Sequence, residues 1–235
     1  ASRRRFLKGG AALAAAGVAV PMLPSASVAQ SADPELARLA GARRILLKGG
    51  VVLTLDRQVG DFAQADVLIE DGKIREVRPN IAASGDGVAI VDAANHIVIP
   101  GFIDTHSHSY QGLLRGVLAN GLLNPDYNQI VQNRITPVYQ AIDAYAGMLV
   151  TTLGMIDTGT TAMVDISQVS HSPEHSDALI RALQESGMRA VYSYHRGGGP
   201  AAQYPQDIRR LARTYFSSKD QLLTLALTGN LTAAM

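Results

Sequence analysis

Apolar residues change their rhythm once along this chain. Ahead of residue 100 they come in short runs bounded by tight turns. Arg44 to Lys48 and Val51 to Leu55 read as strands separated by Gly49-Gly50. Ala65 to Glu70, Asp71-Gly72 and Lys73 to Val77 read as a hairpin, because Asp-Gly accepts the positive φ angles of a two-residue turn. Val88 to Val91 and His96 to Ile99 add two strands around Asp92-Ala93-Ala94-Asn95. Short strands with tight turns predict a small β-sandwich over residues 43–100.

After Gly101 strands and helices alternate. Thr136-Pro137 is an N-cap followed by Pro at the first helical position, and predicts a helix over about 137–157. The run Gly159 to Ile166 is a β-branched strand with Asp165 near its end. Ser172-Pro173-Glu174 opens a second helix, with Leu179, Ile180 and Leu183 at helical spacing and Gly187 as its stop. Arg189 to Tyr194 reads as a strand, His195 to Pro200 as a Gly-rich loop, Gln206 to Phe216 as a helix and Leu222 to Leu227 as a strand. The order βαβαβαβ predicts an α/β fold of parallel strands with crossover helices. An open doubly wound sheet and a (β/α)8 barrel both fit. No G-x-G-x-x-G follows a strand, so a dinucleotide site is weakly supported. The long connection from about Ser109 to Thr136 resembles the loops on which barrel enzymes build active sites.

At the joint between the two patterns lies Ile99-Pro100-Gly101-Phe102-Ile103-Asp104-Thr105-His106-Ser107-His108-Ser109. Residues two apart on a strand point the same way, so His106 and His108 would converge, with Asp104 on their side. Neutral imidazole is a common ligand for zinc. A metal site at a strand end is the first hypothesis for this stretch.

Composition narrows the picture. The 235 residues are 47% hydrophobic and 17% charged, an ordinary globular balance. Cysteine is absent, which removes disulfides, thiolate metal sites and a cysteine nucleophile. Net charge is +1, but residues 1–29 hold Arg3, Arg4, Arg5 and Lys8 and no acid. Setting those four aside leaves 17 basic against 20 acidic residues, which disfavours nucleic acid as a partner. Ser2 to Lys8 resembles a twin-arginine export signal. It precedes an Ala-rich apolar stretch and the small residues Ser27-Val28-Ala29. Residues 1–29 are therefore expected to be a signal peptide for the twin-arginine export machinery, with a bacterial periplasmic or extracellular destination. Residues 30–42 read as a linker or short helix.

The β-domain, Pro-Gly, the Phe-Ile-Asp-x-His-x-His string and the β/α alternation, in this order, resemble the amidohydrolase superfamily. The nearest branch is that of triazine hydrolases, cytosine deaminase and related deaminases. Val67 to Val77, Ile99 to His108, Gln111 to Gly116, Gly159 to Asp165 and Ser172 to Arg189 carry the resemblance, which covers about residues 43–235. It implies the N-terminal half of a (β/α)8 TIM-type barrel, over residues 101–235, preceded by the β-sandwich. It also implies one divalent metal, zinc first and iron second, on His106 and His108. The family's further ligands, a His after strand five, a His after strand six and an Asp after strand eight, have no counterpart before Met235. Leu222 to Leu227 offers neither the Lys nor the Glu of two-metal branches. The implied chemistry is metal-assisted attack of water on a C=N or amide carbon of a small molecule, breaking a non-peptide C–N bond.

The remaining candidates rest on position. Asp104 and Asp165 could support the ligands from behind, although a strand-end acceptor and a helix cap are the plainer readings. Gln111, Arg115 and His195 could contact substrate, or merely pack their loops. His96, His171 and His175 read as structural. Half a barrel of about 250 residues predicts that the chain is a piece of a longer hydrolase, with little activity by itself. A non-catalytic remnant or interaction protein, and a doubly wound ligand-binding protein, are the competing classes. A second copy of the chain is a candidate partner.

Overall fold

A computed structural model describes residues 34–82, 87–118 and 121–229. Residues 1–29, expected to be a twin-arginine signal, lie outside the described residues. The chain divides into two compact units between Ile99 and Pro100. Among the described residues, no helix is long and apolar enough to cross a membrane.

The first unit opens with the short helix α1 (Pro34–Ala40) and continues as strands β1 (Arg44–Val52), β2 (Phe62–Glu70), β3 (Lys73–Arg78), β4 (Val88–Asp92) and β5 (Ile97–Val98). The β2–β3 hairpin turns on Asp71 and Gly72, both at positive φ, as Asp-Gly predicts. The sandwich expectation is corrected: the described strands form a single mixed sheet, in the order β3-β2-β1-β4, with β5 also on β1. The two predicted runs around Gly49-Gly50 are one bulged strand, which explains the correction. Its first half pairs in parallel with β4 and its end with β5, so neither strand is left to build a second layer. The bulge is tightly packed at Gly50: a Cβ there would lie 3.0 Å from Val98 Cγ2 and 3.2 Å from the Ala93 Cβ, so those neighbours would have to give way.

The second unit is a parallel sheet, β6 (Phe102–Ser107), β7 (Thr160–Ser167), β8 (Arg189–Tyr194) and β9 (Leu223–Leu227), in sequential order. A doubly wound sheet reverses its strand order at a switch point; these four strands do not. Helices α2 (Ala141–Asp157), α3 (Pro173–Ser186) and α4 (Ile208–Tyr215) make the connections. Their apolar sides and the strands share one core of Met148, Met163, Leu179, Leu183, Tyr192 and Leu211, among others. Gly187, at φ +71, ends α3 as expected.

Two local readings change. The helix α2 starts four residues later than Thr136-Pro137 suggests: Gln140 and Asp143 form its capping box, while Thr136–Val138 makes a separate 3₁₀ turn. The long connection after β6 is not a bare loop. It contains a 3₁₀ turn, Ser109–Leu114, and a π-type helical segment, Leu123–Ile135. In that segment only Val131 is buried, so it lacks the apolar stripe that reveals a helix in sequence.

Candidate metal centre

Because β6 to β9 are parallel, their C-terminal ends share one edge of the sheet, and the candidate residues stand there. His106 lies near the end of β6 and His108 just past it. Their Nε2 atoms are 3.3 Å apart, with the rings perpendicular and centroids 5.0 Å apart. Simple strand alternation is not the cause. The strand slips register against β7 between Asp104 and Ser107. Asp104 braces that irregular stretch: its Oδ1 accepts the His106 backbone N–H at 2.9 Å. It therefore holds the backbone of His106 rather than its ring.

The ring of His108 is fixed through β7. Its Nδ1 lies 3.0 Å from the carbonyl oxygen of Ile166. A carbonyl only accepts, so Nδ1 carries the hydrogen and the Nε2 of the neutral ring is unprotonated. Two nitrogens each bound at ordinary zinc distances to one tetrahedral ion stand about 3.3 Å apart. The pair fits a divalent metal in donor type and in spacing. Among the described residues no group of three or more His, Asp or Glu side chains gathers at one point, so the pair stands without a third such side chain beside it.

Asp165 is fully buried on β7, on the face that also carries Met163 and Ser167. One carboxylate oxygen accepts the Ser109 N–H at 2.9 Å and the other accepts the Ser167 hydroxyl. Burial pushes its carboxyl pKa up; hydrogen bonds from Ser167 and Ser109 and the charge of His108 oppose the shift. The helix-cap reading is corrected in its target. Asp165 holds the first N–H of the turn after His108, not the start of α3.

Three of the predicted residues meet in one open groove of about 440 Å³, lined by His108, Gln111, Arg115, Thr151 and Met155 among others. Arg115 has no ion pair among the described residues and lies exposed at the groove. Gln111 is engaged: its Nε2 donates to the hydroxyls of Tyr110 at 2.9 Å and Tyr127 at 2.8 Å. Tyr110 in turn donates to Gln168 Oε1 at 3.0 Å, and Gln132 donates to Tyr127 at 2.7 Å. This network joins the turn after β6, the Leu123–Ile135 segment and the residue after β7. Sequence reasoning missed Tyr127, Gln132 and Gln168, since nothing local marks residues so far apart as partners. His195 does not line this groove. It lies after β8, with Nδ1 3.0 Å from the Arg196 carbonyl and its ring 6.4 Å from that of Tyr204.

Comparison with known proteins bears on this arrangement. The profile of the Amidohydrolase family matches residues 97–230, and the chain belongs to that family. A 5'-deoxyadenosine deaminase of Methanosarcina acetivorans is 34% identical over 153 residues, covering 64% of this chain and 33% of the relative. A 5-methylthioadenosine/S-adenosylhomocysteine deaminase of Thermococcus sibiricus is 36% identical over 153 residues, with the same coverage of each. The chain thus spans about a third of the length of these curated relatives. Among solved structures, the zinc complex of atrazine chlorohydrolase TrzN from Arthrobacter aurescens TC1 superposes with a TM-score of 0.67 at 20% identity, covering 78% of this chain and 46% of that one. A zinc-bound adenosine deaminase from Xanthomonas campestris gives 0.60 at 19% identity, covering 78% and 42%. Both show a shared fold.

Proposed function

We propose that this chain carries the first part of the active site of a metal-dependent hydrolase that breaks non-peptide C–N bonds, of the deaminase type. The observation that carries the reading is the His106–His108 pair, with Nε2 atoms 3.3 Å apart at the C-terminal end of the first parallel strand. The sequential order β6-β7-β8-β9 supports the first four strands of a (β/α)8 barrel, whose sites form at that end. The named activities of the relatives support an exocyclic amine on a nitrogen heterocycle as the group removed.

His106 and His108 would hold one divalent metal, zinc first and iron second. Bound there, it would supply Lewis acidity and let water act as a nucleophile near neutral pH. The chain's own residues set the site. Ile166 fixes the tautomer that leaves His108 Nε2 free to bind. Asp104 sets the backbone of His106, and Asp165 sets the turn after His108. Arg115, exposed at the groove, would meet a polar or anionic part of a substrate, while the Gln111 amide, bonded to Tyr110 and Tyr127, shapes the groove wall. The rest of the ligand set lies outside the described residues. Arg3 and Arg4 support export through the twin-arginine route, and their exchange for Lys should hold the protein in the cytoplasm.

The test uses the longest natural product of this gene. His106→Ala, His108→Ala and the double variant should lose metal and deaminase turnover together. Stoichiometric metal in the double variant, by elemental analysis, would remove the site assignment. A natural product that binds no metal and turns over no aminated heterocycle would favour a non-catalytic protein that keeps the fold.

A further inference from the structure

His171 stands on the connection between β7 and α3, and its half-buried imidazole meets backbone groups from two other segments. Nδ1 lies 2.7 Å from the backbone N of Gly198, in the loop after β8. Nε2 lies 2.8 Å from the carbonyl oxygen of Thr136, at the end of the long connection after β6. An N–H only donates and a carbonyl only accepts. The ring is therefore neutral, with its hydrogen on Nε2 and a lone pair on Nδ1 toward Gly198.

Next to Gly198 the two loops touch backbone to backbone. A Cβ on Gly197 would lie 2.1 Å from the carbonyl carbon of Ser170 and 2.4 Å from the His171 nitrogen. No side chain fits between them, so a hydrogen bond from one loop to the other has to come from beside the contact. His171 supplies it. His175, on α3, backs the arrangement: its Nε2 lies 3.0 Å from the Tyr139 carbonyl, its Nδ1 2.8 Å from Ser172 Oγ, and its ring centroid 5.2 Å from that of His171.

We propose that His171 is a positioning residue: a neutral imidazole that latches the β8 loop, with His195 and Arg196, onto the β7 connection, and that lets it go when protonated. The latch follows from the contacts themselves; only its bearing on a substrate rests on the function proposed above.

Protonation would set an Nδ1–H against the Gly198 N–H. The loops would lose a bond and gain a repulsion. Burial already holds the ring below the usual histidine range; the Thr136 carbonyl works against that shift and His175 adds to it. The other charged and titratable groups on the segments packed here include Glu174, Asp177, Arg181 and Glu185 on α3, Arg134 and Tyr139 on either side of Thr136, and His195 and Arg196 on the β8 loop. Of the charged neighbours only His175 is among the causes of the shift. The sign follows. The unfolded chain takes up the proton first as pH falls, so the latch is at full strength above about pH 6.5, weakens below it, and levels off beneath the folded value.

The test is hydrogen exchange at the Gly198 amide in the full 235-residue chain, read as protection over the intrinsic rate. Protection should fall about tenfold between pH 7.5 and 5.5, because a ring that takes up a proton at about pH 6.5 once the latch opens favours the open form about tenfold one pH unit lower. In His171→Phe it should be low at both pH values; in His175→Phe the pH step should persist. Protection that ignores pH in the native chain, or that survives in His171→Phe, overturns the proposal. Nitrogen NMR of the native chain gives an answer even if His171→Phe does not fold. Hydrogen on Nε2 of His171 at pH 7.5 supports the latch, and hydrogen on Nδ1 refutes it.

Discussion

The Nδ1 of His108 donates to the carbonyl oxygen of Ile166 across 3.0 Å, and this bond ties the residue after β6 to the strand beside it. At neutral pH His108 should therefore hold its hydrogen on Nδ1, whether or not metal is added. Two-bond proton–nitrogen correlation spectra read this directly. The opposite tautomer would detach the ring from Ile166 and remove the argument for a pre-set Nε2 ligand.

Asp165 should matter more to the second unit than its position in the sequence suggests. Asp165→Ala leaves the Ser109 N–H and the Ser167 hydroxyl without their acceptor in a fully buried place. The expected loss is about 2–4 kcal/mol, from unpaired donors plus a small cavity. Asp165→Asn keeps one acceptor oxygen and should cost roughly half as much. All eight tyrosines lie beyond residue 100, so tyrosine fluorescence during urea unfolding follows this unit alone.

Two glycines of α2 should respond oppositely to alanine. A Cβ on Gly147 would lie 2.0 Å from the carbonyl oxygen of Tyr110, while one on Gly154 meets nothing within 4 Å. Gly147→Ala must push the turn after His108 away from the helix, at a cost of about 1–3 kcal/mol or more. Gly154→Ala should raise stability by up to about 1 kcal/mol, because alanine loses less conformational freedom in a helix. Equal midpoints for the two variants would contradict the packing described here.

In the first unit Asp66 is the counterpart of Asp165. Its buried carboxylate accepts the N–H of Gly49 at 2.8 Å and of Ile81 at 2.9 Å, with Lys48 Nζ 3.5 Å away. Gly49 sits at the bulge that lets β1 serve both β4 and β5. Asp66→Ala should cost about 1–3 kcal/mol by leaving one buried and one half-buried donor unpaired. Circular dichroism should show an earlier transition, while the tyrosine signal of the second unit keeps its midpoint.

Much of the architecture could be read from local pattern. Arg189–Tyr194 is a strand with the expected limits, and Gly187 and Asp71-Gly72 act as the stop and the turn expected of glycine's freedom and aspartate's tolerance at positive φ. The errors share one cause. Val88–Asp92 and Ile97–Val98 are strands as expected, but whether they begin a second sheet or join the first depends on β1 having a free edge on both sides of its bulge. The Leu123–Ile135 segment buries one residue, so its helical form is set by the polar bonds of Tyr127 and Gln132 rather than by a stripe.

At the candidate site the division is similar. That His106 and His108 are two residues apart beside a Pro-Gly break, that Asp104 precedes them and that Asp165 lies near the end of the next strand could be read without any structure. Such facts follow from spacing along one chain. That Asp104 grips a backbone N–H, that Asp165 serves Ser109, that Gln111 is committed to two tyrosines and that His171 spans two loops became visible only in the folded chain. Apart from Tyr110, the neighbour of Gln111, the partners lie 16 to 56 residues apart or across a register slip. A donor or acceptor can be named from sequence, but which partner it finds is settled only when packing removes the water that would otherwise satisfy it.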